Sequence, residues 1–186
     1  MRVRSPRGPA GPRGGAFAPG TRLTAIGRHD EALDLFAVDR LGQARTAFWH
    51  SEDGWSSWGL IAQGGPHFLP GGTVAAYSKK GDNIDVIAVA DDLQLWTAWW
   101  DDGWNGWRPL GAAVDRVDAP VTLTGRGFEE LDAVWLGPAD DVQHTWWNRW
   151  QGDWAHILAP VRSVVGTPGS SSTMSARVTC CEAISR

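Results

Sequence analysis

The sequence predicts an all-β fold, a partial β-propeller of about three four-stranded antiparallel blades with disordered N- and C-terminal tails. Three observations carry this expectation. Segments recur at an interval of roughly 50 residues, a length associated with propeller blades. Each recurrence divides into short apolar strands separated by turn residues. Those strands are apolar on both faces rather than on one, so both faces require cover.

The repeat is clearest at an aspartate flanked by apolar residues. Leu33-Asp34-Leu35-Phe36-Ala37 returns as Ile84-Asp85-Val86-Ile87-Ala88 and as Leu131-Asp132-Ala133-Val134-Trp135, with the aspartates 51 and 47 residues apart. Gly54-Trp55 returns as Gly103-Trp104. The third copy departs from the pattern, with Asp153-Trp154 and with Ile157 where a second tryptophan is expected. The units run over about 21–71, 72–118 and 119–160. In the second unit the expected strands cover about 73–78, 83–90, 93–100 and 104–110. Gly81-Asp82, Asp91-Asp92 and Asp101-Asp102-Gly103 supply the turns. Side chains alternate across a strand, so Ile84, Val86 and Ala88 face one way while Ile87 and Val89 face the other. No segment sustains a helical period with caps.

Tryptophan dominates the composition. All 13 lie between Trp49 and Trp154, against a total of six Phe and Tyr. The ends differ in kind. Residues 1–22 carry Arg2, Arg4, Arg7, Arg13 and Arg22 and no acid; removing these five from the 17 Lys and Arg leaves 12 against 21 acids, a net of −9. An acidic body argues against a nucleic-acid partner. Residues 1–20 read as a disordered Arg/Pro/Gly-rich leader with no apolar core of a secretion signal. Residues 161–186 read as a mostly disordered tail, with Val161–Val165 the one strand-like stretch. Cys180 and Cys181 are adjacent, so no disulfide framework or zinc spacing is present. No apolar run reaches the length of a membrane span.

The segments "LDLFAVD…ARTAFWHSEDGWSSWGLI", starting at Leu33, and "IDVIAVADDLQLWTAWWDDGWNGWRPLG", Ile84 to Gly111, resemble blades of the bacterial lectins typified by the Photorhabdus lectin. The shared pattern is an apolar-Asp-apolar strand, a strand ending in Trp, then Gly-Trp-x-x-Trp and Leu-Gly, over about residues 21–160. The resemblance implies a seven-bladed propeller that binds fucose and related glycans between blades, without catalysis, and it implies secretion. Three blades do not close a ring, so a homo-oligomer or a longer array is expected to complete it.

The residues make an independent case for sugar. Indole offers a flat apolar face to pyranose C–H groups and one N–H donor. Pockets are expected between units one and two and between units two and three. Trp55, Trp58, Trp104 and Trp107 are the candidate platforms, Ser56, Asn105 and Arg108 the candidate hydroxyl partners, and Trp154 a further, weaker platform. Trp residues three apart on an extended strand point to opposite faces, so only one of each pair is expected at a sugar unless a bulge intervenes. Asp34, Asp85 and Asp132 read as residues that bond to backbone and hold each blade, because catalytic groups are rarely duplicated around a fold. Five scattered histidines have no ligand spacing, and no metal or cofactor is expected. Ser51-Glu52-Asp53-Gly54-Trp55 misses the Asp-box of sialidase propellers by one position. Gln94-Leu95-Trp96 matches the Gln-x-Trp of β-trefoils in one unit alone. Two other readings stay open: a propeller fragment that contacts protein, and an accessory remnant of a secreted glycoside hydrolase or sialidase-like enzyme.

Overall fold

The computed structural model describes residues 14–127, 129–139, 141–148 and 153–154. Residues 1–13 of the expected leader lie outside that set, as do the expected tail with its Val161–Val165 strand, Cys180 and Cys181. Among the described residues no helix is long and apolar enough to cross a membrane.

The strands form three antiparallel sheets. Blade 1 holds β1 (Thr24–His29), β2 (Ala32–Val38), β3 (Ala44–His50), β4 (Gly54–Trp55) and β5 (Gly59–Leu60). Blade 2 holds β6 (Val74–Tyr77), β7 (Asn83–Val89), β8 (Gln94–Asp101) and β9 (Arg108–Ala113). Blade 3 holds β10 (Val121–Gly127), β11 (Glu130–Leu136), β12 (Val142–Asn148) and β13 (Asp153–Trp154). Each sheet is a meander in chain order. In blade 1 the fourth strand is broken, so that β4 and β5 both pair with β3. The first strands of successive sheets lie against one another, β1 on β6 and β6 on β10. The Thr24 hydroxyl donates to the Val74 carbonyl across the first of these contacts. This places the first strands at the centre and the last strands at the rim, which is the radial order of propeller blades.

The two-faced strands decide the stacking. All seven residues of β7 are buried. Ile84, Val86 and Ala88 join Phe36, Val38, Ile61 and Phe68 in a core between blades 1 and 2. Ile87 and Val89 join Leu95, Leu131, Ala133 and Trp135 in a second core between blades 2 and 3. The expected division of this strand between two faces is therefore what the packing uses. Indole N–H groups tie the blades together: Trp107 Nε1 donates to the Ile61 carbonyl at 2.9 Å and Trp135 Nε1 to the Ala113 carbonyl at 3.1 Å.

The β2–β3 turn is built by one side chain. Asp39 Oδ1 accepts from the Leu41 and Gln43 amides at 2.8 and 3.0 Å, and its Oδ2 pairs with Arg45 Nε at 2.7 Å. Gly42 completes the turn at φ 70, where an added Cβ would lie 2.3 Å from the Phe68 carbonyl oxygen. The last residues of the leader follow this turn. Arg40 takes the Ala16 and Phe17 carbonyls, at 2.8 and 2.9 Å, and the Phe17 ring meets Trp58 edge-on at 4.7 Å.

One boundary departs from expectation. The fourth strand of blade 2 begins at Arg108, not Trp104, because only an isolated bridge joins Trp104 to Trp100 and residues 105–107 leave the ladder. Trp104 and Trp107 then both pack toward blade 1 instead of opposite faces.

Ile87 is fully buried at the interface of blades 2 and 3. Ile87→Ala is expected to lower unfolding stability by about 2–5 kcal/mol, the usual cost of truncating a large core aliphatic residue. Urea denaturation followed by tryptophan fluorescence measures it; a loss below ~1 kcal/mol would mean that the blades do not share this core.

Candidate functional site

The recurring aspartates are buried polar groups: Asp34, Asp85 and Asp132 are 3%, 4% and 5% exposed, with Asp34 facing blade 2, Asp85 facing blade 3 and Asp132 on the face of blade 3 turned away from blade 2. A buried carboxylate requires a partner. Each finds a cation six residues earlier. Arg28 Nε lies 2.6 Å from Asp34 Oδ2, Lys79 Nζ 3.1 Å from Asp85 Oδ2, and Arg126 Nε 2.6 Å from Asp132 Oδ2. The interval follows from the hairpin. Ile26, Tyr77 and Thr124 stand directly opposite the three aspartates, and each cation lies two residues beyond, back on the same face. The expectation that these carboxylates hold the blades through backbone donors is thus corrected: they take side-chain cations.

The electrostatics reflect burial against pairing. Burial pushes the Asp34 carboxyl above its ordinary pKa, opposed by the charge and hydrogen bond of Arg28 and by His29. Burial raises Asp85 likewise, opposed chiefly by Lys79. The hydrogen bond to Asp132 raises Arg126.

Between blades 1 and 2 the Arg28–Asp34 pair opens into a cavity of about 400 Å³. Blade 1 contributes Arg28, Asp34, Thr46, Phe48, Ser56, Ser57, Gly59 and Leu60; blade 2 contributes Ile84, Trp100 and Trp104. Trp100 and Trp104 form an edge-to-face pair at 5.8 Å and 73°. Among the described residues Asp34 Oδ1 has no hydrogen-bond partner, while Oδ2 holds the guanidinium. The cavity therefore joins fixed N–H donors and a carboxylate acceptor to flat aromatic walls. That combination suits a ligand with an apolar face and several hydroxyl groups.

A corresponding space of about 230 Å³ lies between blades 2 and 3, lined by Lys79, Lys80, Asn83, Asp85, Trp99, Asp101, Glu129 and Trp147. The two cavities fall at the two interfaces expected from the repeats.

The expected site residues divide. Ser56 and Trp104 share the larger cavity. Ser56 Oγ is already engaged, accepting from the Phe48 amide at 3.0 Å and donating to the Ser57 carbonyl at 3.1 Å. Trp107 lines a different cavity of about 260 Å³ beside Gly65, where an added Cβ would lie 2.6 Å from its ring. Trp58 packs on Phe17, and Trp55 stands opposite Trp49 on the far face of blade 1. Asn105 bonds the Trp99 carbonyl through its amide N–H at 2.9 Å, and Arg108 lies over the Trp99 ring at 4.9 Å. Trp154 meets Trp147 edge-on at 6.1 Å in blade 3. Of the lining residues outside the expected set, Arg28, Asp34 and Trp100 give the cavity its charge and its second indole. For the ion pair a signal was present in the sequence, as a cation six residues before each repeated aspartate. Among the described residues no group of three His, Cys, Asp or Glu is placed to hold a metal.

No protein-family model and no curated protein matches the chain. Solved structures do. BP39L lectin from Burkholderia pseudomallei is 25% identical, with a TM-score of 0.69 over 80% of this chain and 43% of that one. A fungal lectin of Aleuria aurantia, a six-bladed β-propeller with fucose recognition, is 21% identical with a TM-score of 0.57, over 83% of this chain and 48% of that one. SapL1 lectin in complex with α-methyl fucoside is 21% identical with a TM-score of 0.56, over 77% and 47%. The chain is a β-propeller fold that spans less than half the length of these neighbours.

Arg28→Met is expected to destabilise the fold by roughly 1–3 kcal/mol, because it leaves the buried Asp34 carboxylate without its cation. Adding Asp34→Asn should recover part of the loss. A double-mutant cycle by chemical denaturation checks the coupling, and strict additivity would refute it.

Proposed function

We propose that this chain is a non-catalytic carbohydrate-binding module that takes fucose or a related glycan between blades 1 and 2. The observation that carries the reading is the facing of Arg28 and Asp34 by Trp100 and Trp104 across one cavity. The guanidinium supplies directed donors to ring hydroxyls and the free oxygen of Asp34 accepts from one. The indoles take the C–H face, and Ile84 and Leu60 provide apolar contact suited to a deoxy-sugar methyl. The neighbours support the sugar class: two are named lectins of fucose recognition or in complex with a fucoside, and the third is a lectin. The repeat pattern supports the Photorhabdus-lectin type within this fold.

The same reading includes assembly. Leu33, Leu35, Trp49 and Trp55 lie half-buried on the face of blade 1 turned away from blade 2, with no described blade against them. Further blades, from a second copy or a longer array, cover such a face, and repetition of sites raises avidity. A light-scattering mass equal to one chain, for this sequence alone, would count against assembly of copies.

Titration calorimetry with methyl α-L-fucoside tests the site. Binding is expected, and Trp104→Ala should weaken it at least about tenfold, since truncating an aromatic anchor costs more than ~1.4 kcal/mol. Trp55→Ala, on the far face, should bind as wild type does. Loss of binding in Trp55→Ala with retention in Trp104→Ala would move the site elsewhere.

Binding should also weaken on acidification, with a midpoint above the ordinary aspartate range, because the acceptor is the carboxylate of Asp34 and burial raises its pKa. Stability follows the opposite sign for this group. A carboxyl raised in the fold favours folding below its ordinary pKa, and that contribution is lost as the pH rises through the raised value. Affinity measured across the acid range, beside thermal unfolding at each pH, separates the two. Affinity independent of pH would exclude Asp34 as the acceptor.

A further inference from the structure

The two inter-blade spaces derive from the same repeat positions but differ in what fills them. The registers align Arg28 with Lys79, Asp34 with Asp85, Gly59 with Arg108 and Trp100 with Trp147. In the first space Arg28 holds Asp34 Oδ2 and, among the described residues, makes no cation–π contact with Trp100. In the second, Lys79 Nζ donates to Asp85 Oδ1 at 3.2 Å and lies 3.1 Å from Oδ2, which is buried and accepts no hydrogen bond among the described residues. The same ammonium sits 4.6 Å from the centroid of the Trp147 ring. Its side chain is only 9% exposed. One lysine thus occupies the polar and the aromatic half of the space together. Arg108, where blade 1 has Gly59, lies over the Trp99 ring at 4.9 Å.

We propose that Lys79 closes the cavity between blades 2 and 3 to a neutral pyranose, so that the two inter-blade sites of this chain are unequal. This rests on the sugar-site reading for the cavity between blades 1 and 2. A sugar entering the second cavity must lift the ammonium off Trp147 and off a buried carboxylate, losing a desolvated cation–π contact and an ion pair before it makes its own bonds. Arginine at the first site avoids this, because its planar fork pairs with the carboxylate through Nε and leaves the neighbouring indole bare.

The test follows indole N–H resonances in the full chain while methyl α-L-fucoside is added, with Trp104→Phe and Trp147→Phe used for assignment. In wild type the Trp104 signal should move and the Trp147 signal should stay. In Lys79→Arg, which keeps a cation beside Asp85, both should move, and calorimetry should find one more equivalent of fucoside bound per chain than in wild type. Lys79→Arg/Arg108→Gly, which clears both covering side chains, is the second variant. A Trp147 signal that moves in wild type over the same concentrations as Trp104 overturns the proposal. So does a Trp147 signal that stays in both variants while their Trp104 signal still responds. If Trp104 does not respond in wild type, the sugar-site reading itself falls, and a response at Trp147 alone would place binding in the cavity that Lys79 is held to close.

Discussion

Burial of a sheet on both faces is the constraint from which the architecture follows. The strand Asn83–Val89 exposes none of its residues, and its apolar side chains divide between two cores. Such a sheet is stable only between two others, since leaving either face in water forfeits roughly 25 cal/mol for each Å² of apolar surface. Some of the buried polar groups bond to the backbone within the sheet. Asn83 Nδ2 donates to the Trp100 carbonyl at 2.8 Å and the Thr97 hydroxyl to the Val86 carbonyl at 3.1 Å. Stacking in one direction about the first strands then produces the radial arrangement.

The paired charges in each blade are a second consequence. Stacked sheets leave a wedge that opens toward the rim, and the aspartate of the second strand stands where the wedge is still dry. Its cation comes from the end of the preceding strand (Arg28, Arg126) or from the bend just after it (Lys79), two residues beyond the residue opposite the aspartate, and the separation is six residues in all three blades. The pair can be completed in different ways. Asp132 uses both oxygens, on Arg126 Nε at 2.6 Å and His144 Nε2 at 2.8 Å. Lys79 hydrogen-bonds Asp85 Oδ1 and lies 3.1 Å from its Oδ2, whereas Arg28 holds Asp34 at Oδ2. The chemistry on offer at three equivalent positions therefore differs while their structural role does not.

The tryptophans divide between these tasks. Trp107 and Trp135 spend their N–H groups on carbonyls of the neighbouring blade and act as fasteners. Trp58 anchors the entering chain through Phe17. Trp100 and Trp104 are half-buried, packed against the core on one side and open to the cavity on the other. An indole suits all three roles because its large apolar face and single donor sit at opposite ends of one rigid group.

The sequence by itself determined the class of the fold, the number of repeats and the two faces of the inner strands. Each of these is a periodicity, and periodicity survives in one dimension: Ile84, Val86 and Ala88 against Ile87 and Val89 is legible without coordinates. It also held the cations at Arg28, Lys79 and Arg126, at a spacing that hairpin geometry explains. Only the tertiary structure decided which tryptophans are fasteners and which are walls. Trp104 and Trp107 carry the same residue type three positions apart, and their roles depend on where the ladder breaks after the Trp100–Trp104 bridge. Nor did any local pattern distinguish Arg28 from Lys79. An equivalent indole lies across both interfaces, Trp100 in one and Trp147 in the other, and only the stacking shows that the lysine reaches its indole at 4.6 Å, because contacts between blades are not set by neighbours in the chain.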